Sequence, residues 1–331
     1  MSVTIKDIAK QAGVSYSTVS KALRDSPLVK SPTKKKIIKI AEELGYQPNI
    51  AARSLVQKKS YTIGVIWPSV KRMAPAVLIT KITDLLEEHS YSTLLSINKI
   101  DSAIATFNRF QIDAIVVFGD NRGTIHHSSF KTKVPILYYG IKEHTLFPTI
   151  DVNRRFAIKM ATEYLQRIGH QRIAYIGDLT DEDPLQIEKR LGYLEAMNVN
   201  QTENSKHFLV PTNGLDIHDG YQAAKSLLSD KQSVTAIISG SYDLTRGILR
   251  ATTELGLKIP SDLSIISYDN ITLTEEFDVQ VTRVGVPIPR IAQKICETLL
   301  SIIEEDEIEN SIILEPELSS GDSCATIKSR T

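Results

Sequence analysis

Residues 4–23 read TIKDIAKQAGVSYSTVSKAL, and this stretch decides how the chain is organised. Thr4 is a favourable N-cap, and Asp7 three positions on completes a capping-box pattern. Ile5, Ile8, Ala9 and Ala12 then recur at helical spacing. Gly13 stops the helix, because the left-handed backbone beyond a helix end costs glycine least. Val14 plugs the turn, and Ser15 caps a second helix with an apolar side of Val19, Ala22 and Leu23. The other side carries Tyr16, Ser17, Thr18, Ser20 and Lys21, a short, hydroxyl-rich and basic face. Two short helices around a tight turn are a device for setting a few side chains against base edges in a DNA groove. The bland alternative is an αα-hairpin in a small bundle; the turn length and the charge argue against it.

A third helix follows. Ser31 is its cap, Pro32 sits at N1, where a missing N–H costs nothing, and Ile37, Ile38, Ile40, Ala41 and Leu44 form its buried stripe. Gly45 and Pro48 end it, and Lys34, Lys35, Lys36 and Lys39 face outward. The next segment, Asn49 to Gln57, has few apolar residues, so a helix there is marginal by itself and suits a linker that folds on a partner.

Charge separates this head from the rest. Net charge over all 331 residues is zero, yet residues 1–60 hold twelve Lys and Arg against four Asp and Glu, a net +8, which leaves −8 on the body. A basic head on an acidic body implies that only the head meets a polyanion. The two cysteines, Cys296 and Cys324, are far apart in sequence, which excludes a disulfide framework or a cysteine zinc site and fits a reducing compartment. The N-terminus lacks the apolar core of a secretory signal, and no apolar run approaches the ~18 residues needed to span a bilayer. A cytoplasmic protein with no membrane contact is expected.

From Tyr61 the pattern alternates. Strand candidates at 63–67, 93–97, 114–118 and 134–139, with a helix over 79–88, form one series. A second runs from Asn153 through strands at 172–176, 208–210, 236–238 and 263–267, with helices between them. Such alternation predicts an α/β body of two doubly wound parallel sheets, with a ligand cleft beyond the carboxyl ends of the strands. No G-x-G-x-x-G after a strand, no P-loop and no G-x-S-x-G elbow is present, so an enzyme or a cofactor is not expected. A secreted solute-binding protein is the competing class; the basic head and the missing signal argue against it.

Residues 3–57, with TIKDIAKQAGVSYSTVSKAL and GYQPNIAARSL, resemble the headpiece of the lactose/galactose-repressor (LacI/GalR) family. The body resembles that family's core, of periplasmic-binding-protein type, most clearly in GHQRIAYIG (169–177), RLGY (190–193) and LGLKIPSDLSIISYD (255–269). The resemblance implies a headpiece over 1–48, a hinge helix and linker over 49–60, and a two-lobed effector-binding and dimerisation core over 61–331. Lobe 1 covers about 61–153 and 284–315, and lobe 2 about 154–283 and 316–331, with crossings near Asn153, Arg283 and Pro316. By the same resemblance Tyr16, Ser17 and Lys21 read bases, while Thr4, Ser15, Thr18, Ser20 and Thr33 bind phosphates. The hinge enters the minor groove through Asn49, Ala52 and Arg53, with Leu55 as a wedge at the centre of a near-palindromic operator. Lys21 stands where many relatives carry arginine.

Carried over by position, Arg190 and Asp269 are ligand contacts, and Asp151 is a ligand neighbour or a helix cap. The family's Asn-Asp pair aligns to Ser241 and Tyr242, with Asp243 one step off. Where relatives place an aromatic run after the first strand, this chain has Lys71 and Arg72, and Gly321 replaces a common arginine. Those cations, with Arg246, point to a basic pocket poor in aromatic rings that suits an anionic ligand such as a sugar acid or a phosphosugar, and the effector is expected to be a sugar or sugar acid. A repressor acting as a homodimer on double-stranded operator DNA is the function the resemblance implies.

Overall fold

The computed structural model describes residues 3–23, 25–46, 59–67, 71–119, 132–140, 147–197, 208–229, 234–271 and 278–327. They fall into two compact units, 1–60 and 61–331. In the first, α1 (Ile5–Ala12), α2 (Tyr16–Leu23) and α3 (Ser31–Glu43) close around the fully buried Ile8, Val19 and Ile37. The Asp7 carboxylate accepts from the Thr4 hydroxyl at 2.7 Å and the Thr4 amide at 2.8 Å, which hold it below the usual carboxylate range. Gly13 takes φ +69°, and Ser15 Oγ accepts from the Thr18 amide at 3.2 Å, so the turn forms as its residues dictate.

Three details of α3 depart from expectation. The helix begins at Ser31 with Lys30 in the flanking position, so Ser31 does not cap it. Ile38 is 39% exposed, because Ile37, Ile40 and Ala41 already fill the inward stripe. Lys34 and Lys36 turn back onto the head: Lys34 donates to the carboxylate and carbonyl of Asp25, and Lys36 to the Ala12 carbonyl at 3.0 Å, at the end of α1. The expected hinge, with Asn49, Ala52, Arg53 and Leu55, lies outside the described residues.

The body is two six-stranded sheets. The first joins β1 (Thr62–Ile66), β2 (Ser92–Ser96), β3 (Ala114–Phe118), β4 (Ile136–Tyr139), β5 (Thr149–Val152) and β11 (Ser311–Leu314) in the order β11-β5-β4-β3-β1-β2, all parallel. Helices α4 (Met73–Glu88), α5 (Ile100–Phe110) and α10 (Ile288–Ile303) cover it. The second joins β6 (Ile173–Gly177), β7 (Leu209–Pro211), β8 (Ala236–Ser239), β9 (Ser264–Asn270), β10 (Thr282–Pro287) and β12 (Glu317–Ser319) in the order β12-β10-β9-β8-β6-β7, parallel except for β12. Helices α6 (Arg154–Arg167), α7 (Pro184–Ala196), α8 (Ile217–Ser229) and α9 (Tyr242–Glu254) flank it. Central strands such as β3 and β6 are buried along their whole length, as strands covered on both faces must be.

The chain passes between lobes after β5, after β10 and after β11. The middle passage comes beyond Pro287 rather than near Arg283, because β10 pairs with β9 and belongs whole to the second sheet. Residues 320–327 are stitched into that lobe: Ala325 donates to Ser264 Oγ and accepts from the His170 ring, and Ile327 donates to the Ile168 carbonyl. His170 is therefore a tether, and its burial lowers its pKa. Gly321 is fixed by space, since a Cβ there falls 2.3 Å from the Gln280 carbonyl oxygen. No helix among the described residues is long and apolar enough to cross a membrane.

Candidate functional site

The head offers one polar face. Tyr16, Ser17 and Lys21 stand exposed on α2, Tyr16 at 55%, while Thr18, Ser20 and Thr33 are half-buried beside them. Ser15 Oγ is shared between the Ser17 and Thr18 hydroxyls, both at 2.9 Å, and the Thr4 hydroxyl is engaged by Asp7. Of the residues expected to touch bases, Tyr16 and Lys21 stand exposed while the Ser17 hydroxyl is shared with Ser15, and two of those expected on phosphates first serve the helix ends.

In the body, the carboxyl ends of both sheets converge on a cleft of about 820 Å³. Its first-lobe wall is aromatic. Trp67 and Phe118 meet edge-on with centroids 4.5 Å apart, and Phe118 meets Tyr139 at 5.4 Å. The expected scarcity of rings is thus corrected: they come from the strand ends after β1, β3 and β4, not from the loop after β1. Phe118 is itself buried and backs Trp67 and Tyr139, whose partly exposed rings suit the C–H surfaces of a sugar ring.

Of the expected ligand residues, Lys71, Arg72 and Asp269 line this cleft. Asp269 has φ +75°, a costly conformation for a non-glycine residue. Its Oδ2 accepts from the Tyr242 amide at 3.0 Å. The other expected residues stand behind the wall. Arg190 turns outward to the Leu179 carbonyl and to Asp181. Asp151 pairs with Arg154. Ser241 caps α9, accepting from the Leu244 amide at 3.2 Å, and Tyr242 is buried in the first-lobe core cluster.

Asp243 does something else. Though carried by the second lobe, it accepts from the Met73 amide at 3.0 Å and so caps α4 of the first. Burial raises its pKa, against the Met73 bond and the charges of Arg72 and Arg246 that lower it. Replacing it with alanine leaves the Met73 amide without a partner, a cost of about 1–3 kcal/mol. Asp243→Ala is therefore expected to loosen the closed cleft and weaken effector binding roughly 5- to 150-fold. Asp243→Asn, which keeps an acceptor, should lose far less. Calorimetric titration of both variants measures this, and equal losses would refute the latch.

Two cationic residues were invisible in the sequence reading. Lys189, on α7, is only 3% exposed, donates to the Gly240 carbonyl at 2.8 Å and lies 3.9 Å over the Tyr268 ring. Burial pushes its pKa down to about 7; Asp269 and Asp183 hold it up, and Arg72 and Arg154 push it further down. Arg154, at the start of α6, is buried against Asp151 and donates to the Val152 carbonyl at 3.2 Å. Burial works against its charge, but Asp151 keeps it firmly protonated.

Known proteins share this arrangement. Residues 4–49 match the family model described as bacterial regulatory proteins, lacI family, and residues 162–324 match the periplasmic binding protein-like domain. The "Probable HTH-type transcriptional repressor ExuR" of Bacillus subtilis (strain 168) is 31% identical over 320 residues, covering 95% of each chain. The chain belongs to the lacI family of bacterial regulatory proteins. Its fold is similar to that of the Lac repressor dimer bound to operator and the anti-inducer ONPF, with TM-score 0.83, 23% identity, and 98% of this chain and 100% of that one covered. A LacI family transcriptional regulator from Enterococcus faecium, solved with bound ribose, has TM-score 0.70 at 25% identity over 81% of this chain and 100% of its own. As a member of the lacI family, the protein is a DNA-binding transcriptional regulator with an N-terminal helix-turn-helix head and a two-lobed α/β core.

Proposed function

We propose that the protein is a repressor, acting as a homodimer, whose grip on a near-palindromic operator is set by a small carbohydrate-type effector in the interlobe cleft. The observation that carries this reading is the cleft itself: an aromatic wall faces Asp269, whose Oδ2 is committed to backbone while Oδ1 has no protein partner among the described residues. Rings for the faces of a sugar and a carboxylate for its hydroxyls are what a carbohydrate needs. The ribose bound to the Enterococcus faecium relative supports the same use of the fold. The cleft serves as a switch and not as a catalytic site, as expected of a chain whose relative is a transcriptional repressor. Pairing is supported by the apolar edge of β2, where Leu94, Leu95 and Ile97 are 38–60% exposed. Tyr16, Ser17 and Lys21 read bases in this scheme, and Leu55 wedges the minor groove.

Gel-shift titration on operators selected from random duplex tests it. The full chain should shift the selected duplex, and residues 61–331 alone should not. Leu55→Ala should weaken specific binding at least tenfold and leave binding to random duplex largely intact. Equal loss on both duplexes would remove the wedge role, and a shift by the isolated body would remove the role of the head.

A further inference from the structure

Three N–H donors of the cleft wall are not fully used. Among the described residues Lys189 meets only the Gly240 carbonyl and the Tyr268 ring, which leaves the ammonium with donor capacity to spare. The buried Nε of Arg72 and the buried Nε1 of Trp67 have no acceptor among the described residues. The wall's unmet acceptors among the described residues are Gln186 Oε1 and Asp269 Oδ1, which suit the hydroxyls of a ligand rather than these donors. No carboxylate among the described residues bonds these three donors, and those nearby have other partners. Asp151 is bound to Arg154, Asp183 accepts from the Leu185 amide, Asp243 from the Met73 amide, and Asp269 from the Tyr242 amide.

Unused N–H donors on Arg72 and Trp67 beside a buried, incompletely bonded ammonium call for a ligand group that only accepts. We propose that the effector is a sugar acid, its carboxylate held by Lys189, Arg72 and the Trp67 Nε1 donor, with its hydroxyls turned toward the acceptors Gln186 Oε1 and Asp269 Oδ1. This rests on reading the cleft as an effector site. A phosphate dianion fits less well. Its usual seat is a helix N-terminus, and those of α4, α7, α8 and α9 are already occupied by Asp243, Asp183, the reciprocal Asp216–Asp219 pair and Ser241. The cleft lining also carries Asp178, Glu182, Asp216 and Asp219, whose charges disfavour a dianion more than a monoanion. A carboxylate presents one charge and two acceptor oxygens, which matches an ammonium and a guanidinium nitrogen.

The site also predicts a pH dependence. Lys189 must be protonated to hold the acid, and in the free protein it is half-deprotonated near neutrality under burial, with Asp269, Asp183, Arg72 and Arg154 around it. Binding of an anion raises its pKa. Affinity is therefore level below about pH 6.5 and falls up to tenfold per pH unit above about pH 7, until the pKa of the bound state is passed.

Calorimetric titration and operator release on the full chain test this with glucuronate, galacturonate and gluconate, the neutral sugars glucose, galactose and ribose, and glucose 6-phosphate. An acid should bind at least 100-fold more tightly than its neutral counterpart and than the phosphate, and should alter the operator shift. Lys189→Met should cut acid affinity at least 100-fold and flatten its pH profile, with a cooperative melt reporting that the variant is folded. Neutral sugars or glucose 6-phosphate binding as tightly as the acids, or Lys189→Met leaving acid binding intact, overturns the inference and leaves the effector reading standing. If no member of the panel shifts either the melt or the operator complex, the effector reading falls with it.

Discussion

Gly192→Ala is expected to destabilise the body by about 2 kcal/mol or more, although alanine is the better helix former by about 1 kcal/mol. The reason is distance. A Cβ on Gly192 falls 2.1 Å from the Arg155 carbonyl oxygen, where α7 crosses α6. The obstacle is backbone, so no rotamer change relieves it and the helices must move apart. Overpacking of this kind costs about 1–3 kcal/mol, and more where a buried contact must open. Beneath that crossing lie Tyr193, hydrogen-bonded to the Ile173 carbonyl at 2.8 Å, and the fully buried Ala157 and Ile158. Urea unfolding should show a lower midpoint for the body transition, and a midpoint at or above that of the parent would contradict the packing argument. Because α7 also carries Lys189 and Gln186, the same variant should weaken effector binding beyond its cost in stability. Gly247→Ala makes an independent case on the other pair of helices, where the added carbon meets the Ile217 carbonyl oxygen at 2.0 Å.

The head was legible because its signals are local. Thr4, Asp7, Gly13 and Ser15 act within one helical turn of themselves, and each does what its chemistry dictates. The alternation of the body was legible for a similar reason: strands such as 114–118 and 173–177 are continuous apolar runs that need cover on both faces. The cleft was legible only in part. Arg190 was expected to reach it and Lys189 was passed over, yet one residue is 100° of helix rotation, and that rotation sends Lys189 under Gly240 and Arg190 toward Asp181. Nothing in the order of residues distinguishes a buried lysine from a solvated one, since the burying surface comes from β8 and β9, about fifty residues or more downstream. Asp243 was expected at the ligand, but its partner Met73 belongs to the other lobe, 170 residues away, and sequence order gives no sign of that contact.

Lys21→Ala is expected to lower operator affinity roughly 30-fold to 10⁴-fold, because a good base contact is worth about 1–3 kcal/mol and a dimer loses two. Lys21 is exposed on α2 beside Tyr16 and Ser17, and the base-reading role proposed for it would place it at the groove floor. A lysine that binds phosphate instead would give a different signature. Losing it would weaken operator and random duplex alike and reduce the slope of log affinity against log salt by about 0.9 per contact. A base-reading lysine leaves that slope nearly unchanged and abolishes the preference for one base pair in each half-site. Lys21→Arg sharpens the distinction. The ammonium approaches guanine as a single point, whereas a guanidinium grips O6 and N7 with a planar fork. If the operator carries guanine at that step, arginine should bind at least as tightly as lysine; if it carries another base, arginine should bind more weakly there and shift the selected sequence toward guanine. Selection of operators with each variant, at two salt concentrations, separates these outcomes. A uniform loss over all sequences would place Lys21 on the phosphates and leave Tyr16 and Ser17 as the bases' readers.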